Sequence, residues 1–203
     1  MDKLLAGYRR FREKAWPERR AVFQELADAG QRPYALVVGC IDSRVDPAMI
    51  FDVGPGQILT VRNVANLVPA YGPDSKYHGT SAALEFGVQV LKVKDIIVLG
   101  HGSCGGVNAL LEGAPATARD FVAPWMSIVS PVLGRMPPDL APEQRQRWCE
   151  HEVVKTSVEN LMTFPWIASR VAEGSLTLHG AWFAIHTGSL MLLQKDGTFA
   201  PAV

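Results

Sequence analysis

Three short apolar segments decide the fold of this 203-residue chain: YALVVG (34–39), QILTVRN (57–63) and DIIVLG (95–100). Each is rich in β-branched residues and nearly free of charge, as is typical of strands buried on both faces of a sheet. Between the second and third segments, TSAALEFGVQVLKV (80–93) has apolar residues at helical spacing. Strands that alternate with helices form parallel sheets. We therefore predict an α/β fold with a mostly parallel central sheet flanked by helices.

The two ends of the chain add elements to this sheet. Residues 2–29 mix apolar and charged side chains at helical spacing, with an expected interruption at Pro17, and predict an N-terminal helical arm. Residues 106–113 and 142–163 are expected to be helical. Residues 176–199 indicate two strands, with turns at 187–189 and 195–197, which would form a C-terminal edge strand or hairpin. We predict a single domain over 1–203, with the arm at 1–30 and the α/β core at 31–203.

Composition excludes several classes of protein. Twenty Lys and Arg balance twenty Asp and Glu, which argues against nucleic-acid binding. No uncharged apolar run approaches the roughly 18 residues of a membrane-spanning helix, and the first residues lack the apolar core of a signal peptide, so we expect a cytoplasmic protein without a membrane partner. Three cysteines are too few for a disulfide scaffold, which directs attention to metal or redox chemistry.

Potential metal ligands follow two of the predicted strands. Cys40 ends the first, while His101 and Cys104 follow the third in an H-x-x-C spacing. Ligands of parallel sheets bind outside the carboxyl ends of the strands, so these three side chains are expected to meet. Two thiolates and an imidazole match a catalytic zinc site with an exchangeable fourth position. Asp42 is either that labile fourth ligand or the acceptor for the proton of a zinc-bound water. Arg44 can hold its carboxylate through two hydrogen bonds.

Each of these residues also has a structural interpretation. A lone buried cysteine such as Cys40 is usually an inert small hydrophobe, and His101 could be a satisfied core residue. Asp42 and Arg44 could be a capping acid and an ion pair at a helix start. The coincidence of all these groups at strand ends favours the metal site.

Two other motifs are excluded by spacing. GHGSCG (100–105) matches a dinucleotide fingerprint, but no strand ending in an acid follows it. The spacing from Cys40 to Arg44 is too short for a cysteine phosphatase loop.

Three motifs together resemble a β-class carbonic anhydrase: CIDSR (40–44), PGQILTVRNVAN (55–66) and HGSCGG (101–106). The resemblance runs from about Gln31 to Gly188. It implies that Cys40, His101 and Cys104 bind Zn²⁺, with Asp42 and Arg44 as the catalytic dyad. It further implies the following substrate-binding residues: Gln31 as a hydrogen-bonding group, Leu59, Val64 and Phe86 as the lining of a carbon dioxide pocket, and Gly105 as a backbone amide that faces it.

The same resemblance implies an enzyme. A carbonate dehydratase, which is a zinc lyase, hydrates carbon dioxide reversibly to bicarbonate and a proton through a zinc-bound hydroxide. The family also implies a homodimer or homotetramer with the site at the subunit interface and the arm embracing the partner. Ile41, Leu59 and Phe86 depart from the residues common at these positions, which leaves the pocket apolar.

Three questions stay open at this point. Four histidines are candidates for passing the proton to buffer: His78, His151, His179 and His186. The same site could instead hydrolyse carbonyl sulfide or carbon disulfide. A redox sensor, in which Cys40 and Cys104 form a disulfide and release the metal, is a rival of another class.

Overall fold

A six-stranded mixed sheet forms the centre of the molecule in the computed structural model, which describes residues 1–74 and 76–203. Its strands are β1 (Ala35–Cys40), β2 (Ile58–Asn63), β3 (Asp95–His101), β4 (Thr177–Ala184), β5 (Ser189–Leu193) and β6 (Phe199–Pro201). They are ordered β2-β1-β3-β4-β5-β6; the first four are parallel, and β5 and β6 complete an antiparallel edge. The α/β prediction is confirmed. The short third strand of the edge, β6, was not predicted.

Helices cover the sheet and extend from it. They are α1 (Asp2–Arg10), α2 (Trp16–Ala29), α3 (Pro47–Ile50), α4 (Gly79–Glu85), α5 (Gly105–Glu112), α6 (Val122–Met126), α7 (Pro142–Leu161) and α8 (Pro165–Ala172). A π-helical turn, Phe86–Val90, extends α4, and 3₁₀ turns lie at Val64–Asn66, Ala116–Ala118 and Ser127–Arg135. The helices expected over 80–93, 106–113 and 142–163 are therefore present. None of the described helices is both long and apolar enough to cross a membrane.

The N-terminal arm is helical almost without a break, and the expected interruption at Pro17 is wrong. Pro17 is the second residue of α2, and the irregularity falls just before it, in the π-helical turn Phe11–Ala15 that joins α1 to α2. A proline lacks an N–H and its ring crowds the carbonyl four residues earlier. The wider turn accommodates both effects, so the helix continues.

The core places the carboxyl ends of β1 and β3 side by side. Every residue of β1 is buried, as its apolar sequence requires. One group of buried side chains packs β1 and β3 against α8 and the end of α7, and includes Leu36, Ile96 and Ile167. A second group, with Cys40 and Cys104 among its members, packs α5, α6 and α7 beyond the strand ends.

Candidate metal centre

The three predicted ligands converge. Cys40 is the last residue of β1, His101 is the last of β3, and Cys104 precedes α5. Because β1 and β3 are parallel and adjacent, both strands deliver their last side chain to the same edge. The potential ligand atoms of the three residues lie within 4.8 Å of one another, and each residue is at most 4% exposed.

The geometry of this cluster fits a metal ion. The two Sγ atoms are 4.0 Å apart, close to the separation of about 3.8 Å expected for two sulfurs at about 2.3 Å from a tetrahedral zinc. His101 Nδ1 lies 2.9 Å from the carbonyl oxygen of Gly102, so this nitrogen carries the proton. Nε2 of the same ring is buried and has no hydrogen-bond partner among the described residues. A buried polar atom without a partner is costly, and a metal ion bound by Nε2 would remove that cost.

Hydrogen bonds favour a thiolate at Cys40. The Cys104 thiol, then His101 and the backbone amides of Asp42 and Ala65, lower the pKa of Cys40 to about 4, against the opposing effect of burial. The Cys40 thiolate and burial in turn raise the pKa of Cys104. Burial lowers the pKa of His101, but the adjacent Cys40 thiolate and the hydrogen bond to the Gly102 carbonyl outweigh it, so that pKa is raised overall. Metal binding requires two thiolates and a neutral imidazole, so an ion bound here would displace the proton of the Cys104 thiol.

Arg62 holds the loop that carries Cys40 and Asp42. Its guanidinium donates to the carbonyl oxygens of Cys40 at 2.8 Å and Asp42 at 2.6 Å, and to the carboxylate of Asp46 at 3.0 Å. Sequence reasoning missed this role. The available signal was position, because Arg62 lies in β2 opposite Gly39, one residue before the ligand.

Asp42 and Arg44 form the predicted pair. Arg44 donates from Nε to Oδ1 of Asp42 at 2.9 Å and from a terminal nitrogen to Oδ2 at 2.7 Å, and its backbone amide also donates to Oδ1. These bonds hold the pKa of Asp42 well below its usual range. The capping alternative is wrong, because α3 is capped by Asp46, which accepts from the Ala48 amide. The Asp42 carboxylate is not in the cluster of close ligand atoms, and its part as a fourth ligand stays a prediction.

A buried carboxylate that sequence reasoning missed lies behind the loop of His101 and Cys104. Glu150 accepts a hydrogen bond from the Cys104 amide at 3.0 Å, from Gln146 Nε2 at 2.9 Å and from Trp182 Nε1 at 3.1 Å. Burial raises the pKa of Glu150, while these three donors act to lower it. Glu150 belongs to α7, far along the chain, and no motif spacing connects it to the ligands.

The residues expected to bind substrate fall into two neighbouring groups and one isolated residue. Leu59 packs near Gly87, which follows Phe86, a residue that is 51% exposed. Val64 packs against Gly106, next to Gly105 at the start of α5. Gln31 is exposed between α2 and β1. Their roles in substrate binding stay predictions.

The four candidate proton carriers have different surroundings. His78 lies 2.6 Å from Asp74, and His179 lies 2.8 Å from Asp95. Burial lowers the pKa of His151 to about 4. His186 is exposed and lines a cavity of about 210 Å³ with Ser103 of the ligand loop.

Comparison with known proteins relates the chain to one family. The family model described as carbonic anhydrase matches residues 35–190. Beta carbonic anhydrase 3 of Arabidopsis thaliana is 32% identical over 208 residues, which covers 100% of this chain and 80% of the relative. The structure of the β-carbonic anhydrase CcaA superposes with a TM-score of 0.93 at 30% identity, covering 99% of this chain and 98% of the other. A tetrameric β-carbonic anhydrase of Sordaria macrospora gives a TM-score of 0.83 at 27% identity, with 98% of each chain covered.

Proposed function

Because this chain belongs to the β-class of the carbonic anhydrase family, we propose that it is a carbonate dehydratase that hydrates carbon dioxide reversibly to bicarbonate and a proton. One observation carries the proposal. The ligand atoms of Cys40, His101 and Cys104 lie within 4.8 Å of one another, with the free ring nitrogen of His101 buried among them.

The metal of this site is zinc in our proposal. Two sulfurs and one imidazole nitrogen are donors that zinc favours, and three protein ligands leave a fourth position open. Zinc bound there supplies the Lewis acidity that brings the pKa of water toward neutrality.

Asp42 and Arg44 form the catalytic dyad of the proposal. The bidentate contact with Arg44 keeps Asp42 ionised, so a carboxylate oxygen is ready to accept a hydrogen bond from the attacking water and to orient it. Arg44 also holds the carboxylate away from the three ligands. Asp42 released from Arg44 would be available as a fourth metal ligand, which would exclude water and leave the enzyme inactive.

The substrate pocket of the proposal is apolar, as carbon dioxide requires. Leu59, Val64 and Phe86 offer carbon atoms to an uncharged molecule, and the Gly105 amide offers one donor to the oxygen that gains charge. Gln31, exposed at the start of the core, is the additional hydrogen-bonding group.

Stopped-flow hydration of carbon dioxide, followed with a pH indicator, tests the function. We expect rapid hydration by zinc-loaded protein, a rate constant that rises with pH through the neutral range, and loss of activity after chelation with recovery when zinc is restored. Cys104→Ser should abolish activity, whereas Cys149→Ser, a matched change at a buried free thiol that is not in the cluster, should retain it. Zinc-loaded protein without turnover would contradict the enzyme and favour the redox sensor.

We further propose that the protein is a homodimer or homotetramer in which residues 1–30 contact a partner subunit. Support comes from the surface of the arm, where Leu4, Leu5, Tyr8 and Val22 are exposed although apolar. Four aromatic rings of the arm pack on one another, including Trp16 and Phe23 with ring centroids 5.4 Å apart. The Sordaria macrospora relative is described as tetrameric.

A cytoplasmic location remains part of the proposal. The three cysteines are free, and Cys40 and Cys104 must stay reduced to bind metal. The cytosol keeps thiols in that state. Fractionation of cells with an antibody against the chain tests this location.

A further inference from the structure

We infer that Glu150 is a positioning residue for the metal centre, holding the peptide group between Ser103 and Cys104 in the orientation that presents the Cys104 ligand. This inference rests on the proposed function for its metal. Glu150 touches neither the metal ligand atoms nor the Asp42–Arg44 pair, so it would act through the backbone of the loop.

Both ends of that peptide group are held by charged side chains from different elements. Its carbonyl, on Ser103, accepts a hydrogen bond at 3.2 Å from Arg44. Its amide, on Cys104, donates at 3.0 Å to Glu150 in α7. A cation on the carbonyl and an anion on the amide both align with the peptide dipole, so the two contacts favour one orientation of the group.

The loop needs such support because its backbone is unusual. Ser103 has a φ of 56°, in the left-handed region that non-glycine residues rarely adopt. A residue in that region persists only where its surroundings hold it. Ser103 lies between the two ligands His101 and Cys104, so relaxation of this residue would move one ligand relative to the other.

The surroundings of Glu150 fit this task, and among the described residues it has no cationic side chain as an ion-pair partner. Its side chain is buried, and the three groups bonded to it are all donors: the Cys104 amide, Gln146 and Trp182. Gln146 also donates to the Cys104 carbonyl at 3.1 Å, so side chains of α7 hydrogen bond to both the amide and the carbonyl of Cys104. Hydrogen bonds to a carboxylate are roughly twice as strong as neutral ones.

Glu150→Gln tests the inference with little change of shape. The amide oxygen can still accept from Cys104, but the new NH₂ group then faces the Trp182 N–H, so two donors oppose each other. The matched control is Glu152→Gln. Glu152 is also a buried acid of α7, but it pairs with Lys155 at 2.6 Å and Arg135 at 3.6 Å instead of the loop.

The readout is the dissociation constant for zinc, measured by competition with a chromophoric chelator, together with the visible spectrum of the cobalt-substituted protein. We expect Glu150→Gln to raise the zinc Kd by roughly 10-fold or more and to change the cobalt absorption bands, with Glu152→Gln close to the parent in both. Equal Kd values for the parent and Glu150→Gln, or equal losses in the two variants, would overturn the inference.

A second variant decides the matter if Glu150→Gln does not fold. Gln146→Ala removes a donor to both Glu150 and Cys104 from a partly exposed position, and we expect a several-fold rise in the zinc Kd; an unchanged Kd would overturn the inference. The two proposals fail separately. A parent that binds zinc without hydrating carbon dioxide contradicts only the function, whereas unchanged zinc affinity in an active enzyme contradicts only the role of Glu150.

Discussion

At the scale of single residues, the Asp42 carboxylate has both oxygens bonded to Arg44, and Arg44 also reaches the Ser103 carbonyl. One guanidinium therefore connects the two loops that carry the metal ligands. Lysine has no planar fork and could not replace all of these contacts. Arg44 thus sets the ionisation and the direction of Asp42, and it reaches the three ligands only through the Ser103 carbonyl.

Arg44→Ala should reduce activity far more than zinc content. Without the guanidinium, Asp42 is free to turn toward the metal and to displace water, so we expect at least a 100-fold lower kcat/KM with near-normal zinc stoichiometry. Stopped-flow rates and metal analysis on the same sample measure both quantities. Parallel losses of zinc and activity would contradict the separate role of the pair.

His151 should make folding stability depend on pH. Its ring is stacked 4.1 Å from Phe199, its Nε2 is buried without a partner among the described residues, and burial lowers its pKa from 6.5 to about 4. The unfolded chain binds a proton that the folded chain does not, so the stabilisation is fully present above about pH 6.5 and is lost as pH falls toward 4. We expect about 2 kcal/mol less stability at about pH 5 than at about pH 7.5 from this residue.

Urea unfolding of the parent and of His151→Phe at these two pH values checks the prediction. Phenylalanine keeps the stacking and cannot take up a proton, so the variant should lose about 2 kcal/mol less on acidification. The same acid sensitivity in both proteins would show that other groups cause it.

Sequence reasoning identified the residues whose side chains suit metal binding and whose positions in the sequence fall at the ends of predicted strands. Cys40, His101 and Cys104 were predictable because strand ends in a parallel sheet converge, and the structure brings them together. Arg62 and Glu150 were not predictable in the same way. Both residues act on the ligand loops through backbone atoms, and Glu150 lies 46 residues beyond Cys104, so their roles exist only once helix and sheet have packed.

At the scale of elements, helix α5 lies unusually close to the 3₁₀ turn Val64–Asn66. A Cβ atom at Gly106 would lie 2.7 Å from Val64 Cγ1 and 3.0 Å from the Ala65 Cβ. The Ala65 amide helps to lower the pKa of the Cys40 thiol, and Ala65 itself has a φ of 62°. The approach of α5 to this turn therefore connects the two cysteine ligands through backbone contacts.

Gly106→Ala should separate α5 from that turn. The β-branched Val64 and the backbone of Ala65 cannot move aside easily, so we expect a loss of about 1–3 kcal/mol of stability and weaker zinc binding. Gly79→Ala is the control, because Gly79 also begins a helix but no atom of the described residues lies within 4 Å of the added carbon. Thermal unfolding and chelator competition provide the readouts, and equal behaviour of the two variants would refute the close contact as the cause.

Two of the elements that the sequence did not predict depend on local compensation. Periodicity predicted the parallel strands, the long helix α7 and the helical arm. It could not predict the π-helical turn Phe11–Ala15, which lets the helix of the arm continue through Pro17. From the sequence, proline indicates only that a helix is disfavoured. Strand β6 has only three residues, which is too short for a periodic signal in the sequence. It forms by pairing with β5 after the turn near Gly197.

At the scale of the whole molecule, the arm exposes apolar residues that the core of the same chain does not cover. Leu4 is 74% exposed. Contact with the core occurs at Leu26, which packs against Gly56. Such a surface is expected to be buried against another subunit.

Sedimentation should therefore give two or four times the 22.1 kDa mass of the chain. Substitution of Leu4 and Tyr8 by Glu would put charges into the contact, and we expect a shift to smaller species. Lys3→Glu, an exposed charge change in the same helix, should leave the assembly intact. A parent that sediments as a monomer at micromolar concentration would contradict the proposed role of the arm.

The central claim is that Cys40, His101 and Cys104 together hold one metal ion, and elemental analysis of purified protein tests it most directly. We predict about one zinc per chain in the parent and in Cys149→Ser, and almost none in Cys104→Ser. Parent protein that takes up no zinc, or Cys104→Ser protein that retains a full complement, would contradict the account.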